Sequence, residues 1–122
     1  MQLSLLIVDD NVGFIQAARD LLERQGADVV GVATTSAEAI QLARELQPDA
    51  VLVDVELGAE RGFDLAARLT TEQDQRVVLI SVHSETEFVD LLATTPALGF
   101  IPKADLSVPR ISQVLDGRPP PR

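Results

Sequence analysis

Five short apolar runs alternate with segments of helical periodicity along the chain, and this alternation constrains the fold more than any other feature of the sequence. The runs cover residues 3–8, 29–32, 51–54, 77–81 and 98–101. Apolar runs of this length, bounded by turn-forming or polar residues, are typical of strands that are buried on both faces. Because strands and helices alternate strictly, we predict a parallel sheet with helices on both faces and right-handed connections.

The segments between the runs carry the signals of amphipathic helices. In the first segment, apolar side chains recur three and four residues apart from Phe14 to Leu22, and Gly26 marks a helix stop. Capping-box spacings at residues 35–38 and 84–87 open the second and fourth helices. The predicted helices cover residues 14–24, 35–46, 63–70, 84–92 and 106–115.

The predicted elements fit one domain at residues 1–116, as expected for a chain of 122 residues with 46% hydrophobic content. Residues 117–122, Gly-Arg-Pro-Pro-Pro-Arg, cannot be helical, and we predict a flexible tail there. No apolar run approaches the roughly 20 residues that span a bilayer. The N-terminus runs without a basic region into Asp9 and Asp10, so we expect no signal peptide.

The charge balance excludes several classes of partner. Ten Lys and Arg residues oppose nineteen Asp and Glu residues, which gives a net charge of −9. A charge of this sign repels phosphate backbones and anionic membranes, so we expect no direct binding to nucleic acid or to a membrane. Cysteine is absent, which excludes disulfides and thiolate chemistry and fits a cytoplasmic location.

Polar residues stand at the ends of four of the five predicted strands. Asp9 and Asp10 end the first, Asp54 the third, Ser81 the fourth and Lys103 the fifth. A carboxylate inside a buried strand is costly, and the carboxyl ends of parallel strands share one ligand-binding edge. Hard carboxylate oxygens suit Mg²⁺, a carboxylate can attack phosphorus, and a lysine neutralises phosphoryl oxygens. The pattern therefore predicts phosphoryl chemistry at this edge.

Four motifs together resemble the receiver domain of two-component response regulators. They are Leu-Ile-Val-Asp-Asp at 6–10, Val-Leu-Val-Asp-Val at 51–55, Ile-Ser-Val at 80–82 and Gly-Phe-Ile-Pro-Lys at 99–103. The resemblance covers nearly the whole chain, to about Leu115. It implies a flavodoxin-like (βα)5 three-layer sandwich, with a parallel five-stranded sheet in the order 2-1-3-4-5.

The resemblance also implies roles for the acidic residues. Asp54 would be the phosphoacceptor. Asp9, Asp10 and Asp54 would hold Mg²⁺ together with the backbone carbonyl of Glu56, with Asp9 acting largely through water. The resemblance implies a phosphorelay switch without turnover of an external substrate, so we expect no enzyme activity beyond the domain's own phosphorylation and dephosphorylation.

Other site residues follow from the same resemblance. Ser81 and Lys103 would contact the phosphoryl group, and Phe100 occupies the position of the family's switch aromatic. Glu56 and His83, each two residues after a site residue, are candidates for tuning the lifetime of the phosphoryl group.

The implied partner is a histidine kinase or a phosphotransfer protein. Downstream, the domain would act on a protein target or on an output domain outside this chain. A phosphorylation-dependent homodimer through the face formed by the fourth and fifth helices is left open.

The sequence departs from the family pattern in two loops. Leu57-Gly58-Ala59 replaces the usual proline after the phosphoacceptor, and Ala104 replaces the proline after the lysine. Since a cis bond before a residue other than proline costs roughly 2.5–4 kcal/mol, we expect either a trans Lys103–Ala104 bond or a strained one. Gly62 is expected to serve backbone geometry where the third helix starts.

Simpler interpretations of these residues stay open at this point. Asp9 and Asp10 could cap the first helix, and Phe100 could be an ordinary core residue. One rival function is a hydrolase that uses Asp54 in turnover, with Glu56 as a second acid. The other is a phosphorylation-independent receiver that acts only as a docking module.

Overall fold

The computed structural model describes residues 2–117, and within them a five-stranded parallel sheet has the order β2-β1-β3-β6-β7. Its strands are β1 (Ser4–Val8), β2 (Asp28–Ala33), β3 (Ala50–Asp54), β6 (Val77–Ser81) and β7 (Gly99–Pro102). Two-residue strands β4 (Glu56–Leu57) and β5 (Glu60–Arg61) form a separate antiparallel hairpin. Without the hairpin, the order reads 2-1-3-4-5, which confirms the predicted topology.

Helices cover both faces of the sheet, so the molecule has three layers. The helices are α1 (Val12–Arg24), α2 (Ser36–Leu46), α3 (Gly62–Gln73), α4 (Val89–Thr94) and α5 (Val108–Leu115). Apolar residues of α1 and α5 join one core cluster, and those of α2 and α3 join the other, against which Leu92 of α4 also packs. The structure confirms the predicted flavodoxin-like architecture.

Successive strand residues point into opposite cores. In β1, Leu6 and Val8 belong to the core beneath α2 and α3, whereas Leu5 and Ile7 belong to the core beneath α1 and α5. All four of these side chains are fully buried. Burial on both faces explains why the strand shows no alternation of polar and apolar residues in the sequence.

Side-chain caps set the helix boundaries more closely than periodicity does. The Asn11 side chain accepts a hydrogen bond from the Phe14 amide at 3.0 Å, so α1 begins at Val12, two residues before the predicted start. The Ser107 side chain accepts from the Arg110 amide at 3.1 Å, and α5 begins at Val108 rather than at residue 106. A 3₁₀ turn at Lys103–Asp105 precedes it.

The fourth helix is shorter than predicted. Residues Glu85–Phe88 form a 3₁₀ turn, and α4 covers only Val89–Thr94. The break falls at Phe88, whose backbone leaves the helical region at φ −124° and ψ 22°. Its ring packs between Phe63 at 6.0 Å and Phe100 at 5.8 Å, measured between centroids. Tertiary packing of this ring accompanies the local departure from the helix.

Two loops settle further expectations. The segment after Asp54, predicted as a loop, contains the β4–β5 hairpin, with Gly58 at φ +58° in its turn. Every peptide bond between residues 2 and 117 is trans, including Lys103–Ala104.

The predicted tail lies outside the described residues from position 118 onward. Among residues 2–117, each helix is too short or too polar to cross a bilayer.

Candidate functional site

Three carboxylates converge where β1 and β3 end. The two strands are neighbours with Val8 paired to Val53, so Asp9 and Asp54 emerge side by side. Asp9 is fully buried, Asp54 is 6% exposed and Asp10 is exposed. One oxygen from each of the three lies within 4.8 Å of the other two. This arrangement offers a set of hard oxygen ligands suited to a divalent cation such as Mg²⁺.

Lys103 is the cation that faces this cluster. Its Nζ lies 2.6 Å from Asp9 Oδ2 and 3.5 Å from Asp54 Oδ2. The lysine reaches the site from the end of β7, and only 12% of its side chain is exposed. One largely buried ammonium therefore pairs with two buried carboxylates, which leaves the cluster with an excess of negative charge.

Backbone amides fix the orientation of both buried acids. Asp9 Oδ1 accepts a hydrogen bond from the Asn11 amide at 2.8 Å. Asp54 Oδ1 accepts one from the Glu56 amide at 3.2 Å. In each residue the other oxygen, Oδ2, is turned toward Lys103. The carboxylates are thus held by the turns that follow their own strands.

The surroundings of Asp54 favour its protonated form. Burial raises the pKa of Asp54 from 3.8 to about 6, and the charge of Asp9 adds to this effect. The Lys103 ammonium and the Glu56 amide act in the opposite direction but do not cancel it. A carboxylate with a pKa near 6 is still mostly ionised at pH 7.

Ser81 ends β6 at the same edge of the sheet. It is 1% exposed, and its Oγ accepts a hydrogen bond from the His83 amide at 3.0 Å. In the sheet, β6 lies between β3 and β7. Asp54 of β3 pairs with Ile80, and Pro102 of β7 pairs with Ser81. Because the Ser81 oxygen is the acceptor in its bond with the His83 amide, the hydroxyl proton is still available for donation into the site.

These side chains line one cavity of about 260 Å³. The lining residues are Asp9, Asp10, Asn11, Asp54, Glu56, Gly58, Ser81, Val82 and Lys103. All five strand-end residues singled out in the sequence meet there. The cavity is wide enough for a hydrated ion beside a phosphoryl group, whereas a buried core void would be far smaller.

Glu56, which lines this cavity, contacts His83, which is not one of the lining residues. His83 Nε2 lies 3.3 Å from Glu56 Oε1, and its Nδ1 lies 3.3 Å from Glu87 Oε2. Both members of the first pair are substantially exposed, at 44% for His83 and 64% for Glu56. The two candidate tuning residues therefore form one contact between separate loops.

Phe100 lies apart from the cavity. It is 4% exposed and belongs to the core beneath α2 and α3. Its ring contacts Phe88, which in turn contacts Phe63. Phe100 lies in β7, and Lys103 follows three residues later in the turn after β7. A displacement of this segment would therefore move both residues.

Sequence reasoning missed two contributors to the site. The Phe14 ring centroid lies 4.1 Å from Lys103 Nζ, although the residue was predicted only as a member of a helical face. Gly62 was predicted to serve backbone geometry, but its close approach to the end of β3, the strand that carries Asp54, was not predicted. A side-chain carbon at Gly62 would collide with the backbone carbonyl of Asp54. The separation of eight residues between Gly62 and Asp54 does not by itself indicate this close approach.

Comparisons with known proteins agree with this geometry. Residues 5–115 match the family model described as the response regulator receiver domain. The response regulator GacA of Pseudomonas aeruginosa is 33% identical over 121 residues, which cover 95% of this chain and 56% of that protein. The chain spans about half the length of the curated relatives that it matches.

Solved structures show the same fold. A LuxR-family two-component response regulator from Aurantimonas sp. SI85-9A1 has a TM-score of 0.86 at 27% identity, over 97% of this chain and 88% of that one. A response regulator from Burkholderia pseudomallei, solved with a phosphorylated aspartic acid, a calcium ion and citrate, has a TM-score of 0.78 at 27% identity, over 93% and 66%. The chain belongs to the response regulator receiver domain family of two-component systems.

Proposed function

We propose that this receiver domain is a phosphorelay switch in which Asp54 accepts a phosphoryl group from a phosphohistidine. One observation carries the proposal: the Asp54 carboxylate shares a cavity with two further carboxylates and with the Lys103 ammonium. The phosphorylated aspartic acid of the Burkholderia pseudomallei regulator supports the same role for Asp54.

Transfer would proceed by in-line attack. An oxygen of the ionised Asp54 carboxylate forms a bond to phosphorus while the P–N bond of the phosphohistidine breaks. The bonding electrons pass to the ring nitrogen, and a ring that is protonated on its other nitrogen leaves as neutral imidazole. Lys103 neutralises charge that develops on the equatorial phosphoryl oxygens. Because most Asp54 is ionised at pH 7, the nucleophile needs no separate base.

The acidic cluster fits Mg²⁺. Asp9, Asp10 and Asp54 offer oxygens within 4.8 Å of one another, and the backbone carbonyl of Glu56 would complete the set of protein ligands. Magnesium usually takes only one or two carboxylates and keeps several waters, so a ligand set with one exposed acid suits it. When bound, the ion would neutralise part of the charge on the phosphoryl oxygens.

Ser81 and Phe100 would convert phosphorylation into a change of surface. The Ser81 hydroxyl oxygen already accepts a hydrogen bond from His83, so its proton is free to go to a phosphoryl oxygen. Movement of Ser81 would disturb its pairing with Pro102 and thereby the position of Phe100 against Phe88. The phosphoryl group then shifts a population between two states, as far as its differential affinity for them allows.

Glu56 and His83 would tune how long the phosphoryl group persists. Their 3.3 Å contact bridges two loops, and Glu56 also lines the cavity. If Glu56 and His83 separate, water would reach the phosphoryl group more easily, and while they stay in contact its access would be hindered.

The partners follow from the same role. The donor would be a histidine kinase or a phosphotransfer protein in the cytoplasm, and the recipient of the signal a protein target or an output domain. GacA is nearly twice as long as this chain, and this extra length is the reason for proposing an output domain. Phosphorylation-dependent pairing of two copies is a further consequence that the switch would allow.

Incubation with acetyl phosphate and Mg²⁺, followed by intact mass measurement, tests the proposal. We expect the wild-type protein to gain the mass of one phosphoryl group and Asp54→Asn to gain none. Asp20→Asn, which alters an exposed acid on α1, is the matched control and should behave like wild type. A gain that survives Asp54→Asn would remove Asp54 as the acceptor. A wild-type protein that takes no phosphoryl group from acetyl phosphate, phosphoramidate or a phosphohistidine donor would point to the docking role instead.

A further inference from the structure

The Phe14 side chain covers one side of the site lysine. Its ring centroid lies 4.1 Å from Lys103 Nζ, well within the range of about 6 Å over which a cation is attracted to an aromatic face. Phe14 belongs to the first turn of α1, where its amide donates to the Asn11 cap. The amide of Asn11 donates in turn to Asp9, so the ring and the buried acid are tied to the same turn.

Among residues 2–117, three groups lie close to the ammonium: two carboxylates and one aromatic ring. Asp9 lies at 2.6 Å and Asp54 at 3.5 Å, but both carboxylates are also candidate metal ligands and one is the candidate phosphoacceptor. Their contacts with Lys103 therefore compete with the chemistry proposed for the site. The Phe14 ring takes no part in that chemistry, so it is the neighbour that can keep the ammonium in place throughout.

We propose that Phe14 is a positioning residue for phosphoryl transfer, which holds the Lys103 ammonium over the cavity through a cation–π contact. The inference rests on the proposed function, since it assigns a role within that reaction. With only 12% of the lysine side chain exposed, the contact is partly shielded from water, and such contacts are stronger than exposed ones.

A purely structural role for Phe14 makes different predictions. The ring is half-buried and packs against the core beneath α1 and α5, so a smaller residue would also disturb packing. Phe14→Leu keeps an apolar side chain but removes the aromatic face, whereas Phe14→Tyr keeps the face. Phenylalanine analogues with one, two or three ring fluorines at position 14 keep the shape and weaken the attraction in steps.

The composition makes the contact directly observable. Lys103 is the only lysine in the sequence, so ¹³C-labelled lysine gives a single ε-methylene signal in an NMR spectrum. We expect the ring current of Phe14 to shift this signal upfield in the metal-free wild-type protein. The shift should be retained in Phe14→Tyr and lost in Phe14→Leu, while the amide spectrum of the sheet stays native. An unshifted wild-type signal overturns the contact without reference to phosphorylation.

The kinetic consequence is tested with acetyl phosphate and Mg²⁺. We expect the phosphorylation rate constant to fall about three- to tenfold in Phe14→Leu, to fall stepwise along the fluorinated series and to stay near the wild-type value in Phe14→Tyr. If wild-type protein is phosphorylated, and Phe14→Leu and the fluorinated series react with the wild-type rate constant, this inference alone is overturned. Wild-type protein that accepts no phosphoryl group, despite a shifted lysine signal, overturns the proposed function and the kinetic role together.

Discussion

The Asp54 carboxyl group is buried, although burial disfavours its charged form. Its side chain is withdrawn from water beside the buried Asp9, and both circumstances favour the protonated form. The Lys103 ammonium offsets these two effects only in part, and it is shared between Asp54 and Asp9. The ionised form of Asp54 that the proposed chemistry needs therefore lowers the free energy of unfolding, as is common where function and stability compete.

The first prediction is a pH-dependent loss of stability that originates at Asp54. With a pKa of about 6 in the folded state and 3.8 as its ordinary value, the folded protein holds a proton that the unfolded chain has lost between these two pH values. The contribution of Asp54 to the free energy of unfolding is thus complete below about pH 4 and lost as the pH rises through 6. We expect metal-free Asp54→Asn to gain about 2–3 kcal/mol over wild type at pH 7 and little at pH 4.

Urea unfolding at pH 4, 5, 6 and 7 in the presence of a chelator measures this difference. Asp20→Asn, which changes an exposed acid, should follow the wild-type pH profile. A constant difference between Asp54→Asn and wild type over the whole pH range would contradict the assignment.

Which site residues the sequence could reveal depended on how they are held. Asp9, Asp54 and Ser81 were predictable because each ends an apolar run, and parallel strands bring such ends to one edge. The contact between Phe14 and Lys103 was not, because a ring on α1 meets a lysine from β7 only after both have packed on the sheet. Nothing in local spacing encodes that distance.

At the scale of elements, the junction between β3 and α3 determines where the candidate phosphoacceptor sits. The Gly62 amide donates to the Val55 carbonyl at 2.8 Å, so the first residue of α3 lies directly against the end of β3. A side-chain carbon at Gly62 would collide with the Asp54 carbonyl, which is rigid backbone. The close approach, rather than an unusual φ, requires glycine here.

The second prediction concerns Gly62→Ala. The added methyl group must push α3 away from β3, which we expect to cost about 1–3 kcal/mol in the free energy of unfolding. Gly13→Ala is the matched control, because its new carbon would meet only the Asn11 side chain at 3.3 Å. Urea unfolding of both variants at pH 7 measures the effect. A loss in Gly62→Ala no larger than that in Gly13→Ala would show that the junction is not tightly packed.

The elements themselves were predictable to different degrees. All five sheet strands appear where apolar runs predicted them, and in β1, β3 and β6 burial along almost the whole strand leaves no polar position inside the run. The short α4 was not predicted. Its break coincides with Phe88, whose ring packs between Phe63 and Phe100 from other parts of the chain, and local spacing does not encode such a contact. The hairpin after Asp54 was missed because two-residue strands have no periodicity to detect.

Charge dominates at the scale of the whole molecule. The net charge of −9 adds general self-repulsion to the local repulsion among Asp9, Asp10 and Asp54. Any salt would therefore stabilise the fold by screening, whereas a divalent ion bound at the acidic cluster would stabilise it in addition by binding the folded state. The two effects must be separated before a rise in stability is assigned to the site.

The third prediction is a Mg²⁺-specific rise in melting temperature. At a Mg²⁺ concentration of about 100 times its dissociation constant, binding to the folded state alone would add about 2.7 kcal/mol, which corresponds to several degrees. Melting followed by circular dichroism suits a chain that lacks Trp and Tyr, with NaCl of equal ionic strength as the reference. Asp10→Asn should lose most of the Mg²⁺-specific increment and stay folded, because Asp10 is exposed, and Asp20→Asn should keep all of it. Equal melting temperatures in MgCl₂ and NaCl would mean that the three acids repel one another without binding the ion.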